Sequence, residues 1–527
     1  MRLTWLLLRR HRLFLGCWLL LLIAMSAGTV TAYQNTYPTG QQRRIAVALA
    51  QDNAATTLIY GRLPGPGTPA QMYVWEIGAC TTILTAVFAI LLTVSLTRAA
   101  EDDGTLELLR SCGLTVDQPL YAATGVLTAC AGTLAAGCAV VVGVHGGHAD
   151  GVTWAGSAAY GSVVGLTFLL FAALTMLLAQ IAPTAGQARL LAFATMGASF
   201  TVRAFADTRP AGWLNWCSPL GLRATVEPFT TDRWTALSAP AAATALAIGA
   251  ATFVARRREF GAGLLRRRDT RLRRLRIRST AGLAARLTRA SVLTWTTAVA
   301  TIGTLFAAMG SGAVDQQRDG DIGGFLGAQL GDGEPAAGYL SYCGTVVGIM
   351  VCVYAVLSVT ASRHAERLGL TDMMLATGAR RWAPLASQAT VTAAGAAIIL
   401  AVTAMVTALI APAVVEGDDI TTRALLYTAG QWPAAAAITG CTVLLAGTAP
   451  RLTALAWLPL AVSAALALLG DLLEVPPRIQ DLGLFGHVPD AAAADSTPVA
   501  LLVLAGAGAL MCLTGLIGMN RRDLVTG

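Results

Sequence analysis

RAAEDDGTLELLRSCG, residues Arg98–Gly113, is a charged segment wedged between two long apolar runs, and the chain contains it twice. A shift of 265 residues carries Arg98, Glu101, Gly104, Glu107, Leu108, Leu109 and Gly113 onto Arg363, Glu366, Gly369, Asp372, Met373, Met374 and Gly378 without a gap. Four of these seven positions are identical, one keeps a carboxylate and two keep a long aliphatic side chain. A repeat of this kind sets the architecture before any finer reading: the chain is one plan used twice.

In each copy the Arg and the Glu three residues on share a helix face, the Leu or Met pair lies on the flank, and a Gly closes the turn. The expected product is a short helix lying across the ends of two spans, with charge outward and apolar side chains inward. Exposed loops normally lose such detail, so its survival in both copies points to a function.

Composition fixes the solvent. Of 527 residues, 55% are hydrophobic and 13% charged, and a chain this apolar belongs in a bilayer. All 37 basic residues are Arg. A P-loop places a Lys on the nucleotide phosphates, so the chain carries no Walker A motif and is expected not to hydrolyse ATP. The ten Cys include no CxxC pair, and most lie in apolar runs, where they read as small packing residues.

Arg2, Arg9, Arg10 and Arg12 precede a first apolar run at 13–32. Arg9, Arg12 and Trp18 recur as Arg286, Arg289 and Trp295, so this run reads as a retained span and not a cleaved leader. Runs at 72–97, 120–144, 158–182, 190–205 and 239–255 complete one half. Those at 291–310, 341–361, 384–414, 431–449, 453–470 and 498–519 make the other. Such runs have the lengths needed to cross about 30 Å of hydrocarbon. The expected fold is an all-α polytopic membrane protein of about twelve transmembrane helices in two fused six-helix halves, over 1–255 and 291–527. Between them, 256–290 forms a cytoplasmic linker with thirteen Arg, which suits anionic lipid headgroups better than nucleic acid.

Two outer segments interrupt the plan. Ala206–Ser238 carries Trp213, Trp216, Pro219 and Gly221, too broken for a span and too aromatic for a free loop. It is expected to form an interfacial or re-entrant helical hairpin, as is 471–495, where Leu484, Phe485 and Gly486 align with Pro219, Leu220 and Gly221. Glu76, near the outer end of the second run beside Tyr73 and Trp75, is either functional or wetted at the interface.

Twelve spans with both termini inside place 27 Arg on the inner side and 10 outside, in accord with the positive-inside rule. The expected location is the plasma membrane, with both ends cytoplasmic. No nucleophile elbow, HExxH or paired catalytic carboxylate is present. His145 and His148 are two ligands without a third, so no metal site is expected. The span interiors hold almost no Asp, Glu or Arg, which disfavours an ion-coupled pump. Energy is therefore expected from outside the chain, through the duplicated inner loops.

RAAEDDGTLELL, NWCSPLGLRATVEPF followed by DRW, ARRREFGAGLL, APRLTALAW, LFGHVP and the terminal NRRDL together resemble the permease subunit of actinobacterial ABC-2-type exporters, the polyketide-antibiotic and tetronasin type. The likeness covers nearly the whole chain. It implies a separately encoded ABC ATPase, a homodimer carrying ATP and magnesium, with no cofactor in this chain. It also implies that the two copies are coupling helices, one seated in each ATPase subunit. LATGARRW after the second copy is also similar to FtsX-like permeases, although this chain has no room for the external domain usual there. Few fixed charges along the spans suit a small amphipathic or apolar substrate taken from membrane lipid. Two other classes stay open: a solitary secondary multidrug transporter, and a non-transport membrane regulator.

Overall fold

The computed structural model describes residues 2–27, 30–52, 54–111, 113–115, 117–209, 211–258, 263, 279–308, 310, 334–367, 369–469, 476–488 and 498–522. Most of the Arg-rich linker, the ends of the 471–495 segment and Asp523 lie outside the described residues. The chain divides into two compact units, Met1–Leu272 and Arg273–Gly527. Both are helical bundles, and no strand occurs among the described residues.

Unit one contains α1 (Arg2–Ala27), α2 (Pro69–Leu96), α3 (Arg98–Asp102), α4 (Thr105–Ser111), α5 (Gln118–Gly143), α6 (Trp154–Ile181), α7 (Ala185–Thr208) and α8 (Ser238–Arg257). Unit two contains α9 (Thr280–Ala308), α10 (Pro335–Arg367), α11 (Leu370–Leu375), α12 (Ala383–Ile410), α13 (Ile420–Ala429), α14 (Trp432–Thr448), α15 (Trp457–Leu469) and α16 (Val499–Arg521). Among the described residues, nine helices are long and apolar enough to cross a membrane. The other three expected runs fall on α1, α7 and α14. The protein is an all-α polytopic membrane protein.

Local chemistry explains where the spans begin. Thr68 accepts from the Gln71 N–H while the Gln71 side chain reaches back to the Thr68 N–H, a capping box at the head of α2. Thr153 and Thr184 cap α6 and α7 in the simpler one-way form. These bonds satisfy backbone donors that helix starts leave open. Glu76 accepts from Tyr33 at 2.6 Å, which ties the segment after α1 to α2.

The repeat found in sequence is a repeat in packing. Trp18 of α1 stacks on Phe88 of α2 with ring centroids 5.4 Å apart, and Trp295 of α9 meets Tyr354 of α10 at 6.1 Å. A large aromatic at this position therefore holds the first span against the second in each unit. Phe168 and Phe171 of α6 are buried in the core around Phe88.

The units differ in how the later spans touch. In unit one Gly161 and Gly165 bring α6 against the Ala135 and Ala131 carbonyls of α5. In unit two the corresponding stretch is split into α13 and α14, and α14 instead lies backbone to backbone with α16. Gly440 meets Gly508 there and Gly447 meets Gly515, so a methyl at either would overlap a carbonyl. Glycines spaced along both helices permit this approach in a membrane, where packing and not the hydrophobic effect drives association.

The Trp-rich segment after α7 differs from the expected hairpin. It is a string of short turns, Gly212–Cys217, Pro219–Gly221 and Leu222–Val226, followed by Trp234–Leu237 at the start of α8. Ser218 and Ser199 are 2.8 Å apart, and the Leu220 N–H donates to Ser199. Gly221 packs on the Asn215 backbone so closely that no side chain fits, and the chain continues from it into the five-residue helix Leu222–Val226. Trp213 and Trp216 stay exposed, as suits an interfacial position. In unit two Phe485 is buried like Leu220, whereas Gly486 stands in open space.

Gly447→Leu is expected to push α16 off α14 and cost about 3 kcal/mol. Gly506→Leu, on α16 but facing open space, is the control. Thermal unfolding in detergent checks both, and equal melting temperatures would contradict the close α14–α16 contact.

Candidate functional site

The duplicated loops are built around glycines. Gly104 and Gly369 both have φ of +72°, and Gly113 and Gly378 have +87° and +86°. This left-handed region is costly for other residues, so the glycines stop one helix, allow one short helix, and stop it again. The short helices are α4 and α11. On them Leu108 and Met373 are each 71% exposed, with Glu107 and Asp372 exposed beside them. Leu109 and Met374 are half-buried.

The Arg and Glu of the repeat do not sit on these short helices. Thr97 breaks α2 with φ −118° and ψ −91°, and Arg98 and Glu101 fall on α3. In unit two α10 runs on unbroken through Arg363 and Glu366. The side chains turn inward: Arg98 is 1% exposed and Glu366 3%. The expected arrangement is thus reversed for the Arg and Glu, which are buried, and for Leu108 and Met373, which are presented, while Glu107 and Asp372 face outward as expected. Burial of the charges is possible because each carboxylate meets a second guanidinium that the repeat did not reveal.

That second group is the residue just beyond the last span of each unit. Arg258, following α8, donates from both terminal nitrogens to the two oxygens of Glu101, at 2.9 and 2.5 Å. Arg522, following α16, donates to the two oxygens of Glu366 at 2.7 and 2.8 Å. Arg98 completes the first cluster at 3.2 Å from Glu101, and Arg363 completes the second on Glu366. Each site is an Arg–Glu–Arg cluster with one fork-to-fork pair, the strongest geometry open to these groups. Both outer Arg have extended backbone, ψ 149° at Arg258 and 154° at Arg522, which turns the chain off the helix and back to the loop.

Unit one adds further ties. Arg258 Nε donates to Gln180 at 2.8 Å, and Arg98 donates to the Pro183 carbonyl at 2.6 Å. Asp102 accepts from the Ala185 N–H at 2.6 Å, at the positive end of α7. Glu101 and Asp102 are thus held by neighbouring elements. In sequence, Arg258 and Arg522 stand in the ARRREF and NRRDL strings that follow the last run of each half. Their offset of 264, beside 265 for the loops, was the available signal.

Elsewhere, no group of three potential metal ligands is clustered among the described residues. His145 Nδ1 lies 2.8 Å from the Val141 carbonyl.

Two repeated bundles of membrane-length helices, each with a buried ionic cluster tied to a loop that presents a short exposed helix, define a polytopic membrane permease. Residues 277–520 match the family described as multidrug efflux system permease Rv1217c, C-terminal domain. Over 523 residues the chain is 32% identical to the multidrug efflux system permease protein Rv1217c of Mycobacterium tuberculosis, covering 98% of this chain and 94% of that protein. The chain belongs to this family of multidrug efflux permeases.

Burial alone would raise the Glu366 carboxyl, but the bonds from Arg522 and Arg363 outweigh it and hold it below the usual carboxylate range. A lowered carboxyl stabilises the fold above its unfolded pKa, and that contribution is lost as pH falls through the folded value. Glu366→Gln leaves two buried guanidinium groups without their anion and is expected to cost about 3 kcal/mol at neutral pH. The difference from wild type should begin to shrink as pH falls through the usual carboxylate range, about 4, and vanish only below the lowered value of the folded protein. Melting temperatures of both proteins across pH check this, and a gap that persists into strong acid would refute it.

Proposed function

We propose that this permease is the membrane subunit of an ABC exporter that moves amphipathic or hydrophobic drug-like compounds out of the cell. Its energy comes from a separately encoded ATPase that carries ATP and magnesium and binds as a dimer to α4 and α11. The observation that carries this reading is the pair of short helices, each bounded by left-handed glycines, each offering one exposed apolar side chain next to one exposed carboxylate. An apolar knob flanked by charge, on a helix held by its ends, is suited to a groove on a rigid partner.

The kinship with a multidrug efflux permease supports the export of varied compounds. Both termini and both short helices then lie in the cytoplasm, as the Arg distribution favours. The narrower polyketide-antibiotic reading rests on the sequence resemblance alone.

Co-purification with the separately encoded ABC ATPase that the proposal requires, followed by ATP hydrolysis in lipid vesicles, tests the reading. Wild type is expected to form a stable complex. Leu108→Asp with Met373→Asp, and separately Glu107→Arg with Asp372→Arg, should each weaken it about tenfold or more while the permease keeps its melting temperature. A wild-type chain that neither binds the ATPase nor changes its rate would sink the proposal.

A further inference from the structure

The final span of each unit ends in several Arg, yet one Arg in each set behaves differently from its neighbours. Arg256 and Arg257 after the body of α8, and Arg521 at the end of α16, are exposed. Arg near the end of a span normally reaches toward water or headgroups. Arg258 and Arg522 instead fold back and deliver a two-pronged bond to the carboxylate that begins the short-helix loop.

The placement is the same in both units. α8 packs chiefly on α6, and α16 on α14, part of the counterpart stretch, there through close glycine contacts. In unit one a cavity of about 30 Å³, lined in part by Leu106, Arg110, Gln180, Ala255 and Arg258, lies beside this joint, enough room for roughly one water. The ionic bonds next to it connect the loop to the end of the last span. A guanidinium fork on a carboxylate fixes orientation as well as distance, so the joint resists rotation and not separation alone.

We propose that Arg258 and Arg522 are positioning residues that lock the last span of each unit to its short-helix loop, so that displacement of α4 or α11 is transmitted directly to α8 or α16. The inference rests on the coupling role given to α4 and α11 above. It adds the element that receives the motion, which neither the repeat nor the family match assigns.

The test compares wild type with Arg258→Ala/Arg522→Ala and Arg258→Lys/Arg522→Lys, in vesicles with the ATPase. For each, ATPase binding, hydrolysis and drug efflux are measured, and amide hydrogen exchange over 105–111 and 370–375 is measured on the permease alone. The Ala variant is expected to bind the ATPase and hydrolyse ATP, but to export about tenfold less drug per ATP. Its exchange in the two short helices should rise about tenfold. The Lys variant, with a point charge and no fork, should recover part of both. An Ala variant with wild-type efflux per ATP overturns the assignment, as does one whose lost efflux is matched by lost ATPase binding. Should the Ala variant fail to accumulate, a Lys variant with wild-type efflux per ATP and wild-type exchange overturns it. Exchange on the permease alone is read without the ATPase: unchanged exchange counts against the lock, whereas absent binding by wild type counts against the coupling role.

Discussion

Two buried carboxylates, Glu101 and Glu366, set the constraint from which the loop geometry follows. An ionised carboxylate at nearly zero exposure is tolerable only when fully paired, and each has a guanidinium from its own turn and a second from the end of the last span. Satisfying that requirement brings together pieces of chain 157 residues apart in unit one and 156 in unit two. The glycines at 104 and 369 then have a clear purpose. With the Arg–Glu turn facing inward, the chain must reverse sharply for the next helix to face out, and the left-handed conformation provides that reversal.

Sequence periodicity and repetition made the helical class, the two-unit plan and the glycine-bounded short helices legible. They succeed because apolar length, Gly positions and recurring aromatics are local signals. Trp18 and Trp295 illustrate this: their recurrence under a separate offset corresponds to a ring contact between first and second span in both units, stacked in one and tilted in the other. The direction in which the loop charges point was not legible. An Arg and Glu three apart look alike whether they form an exposed pair or half of a buried cluster. Only the distant Arg258 and Arg522 decide between these, and neither differs in sequence from the exposed Arg next to it. The path of the Trp-rich segment was not legible for a related reason. Aromatic content places a segment at the interface, but its path depended on one backbone contact, Gly221 on Asn215, that composition does not encode.

The two units reach the same joint by different routes. In unit one, Arg98, Asp102 and Arg258 bond also to Pro183, Ala185 and Gln180, so the cluster is anchored to the turn between α6 and α7. In unit two, the span that carries Arg522 is gripped along its length, where Gly440 and Gly447 of α14 admit the backbone of α16. Stiffness is thus placed at the loop end in one unit and along the helix in the other. A force applied to α4 would be shared with α7 through Asp102, whereas a force on α11 passes to a helix that cannot shift without carrying α14. Duplication preserved the connection between loop and last span, while the elements supporting it diverged, so the two loops present similar short helices backed by mechanically different bundles.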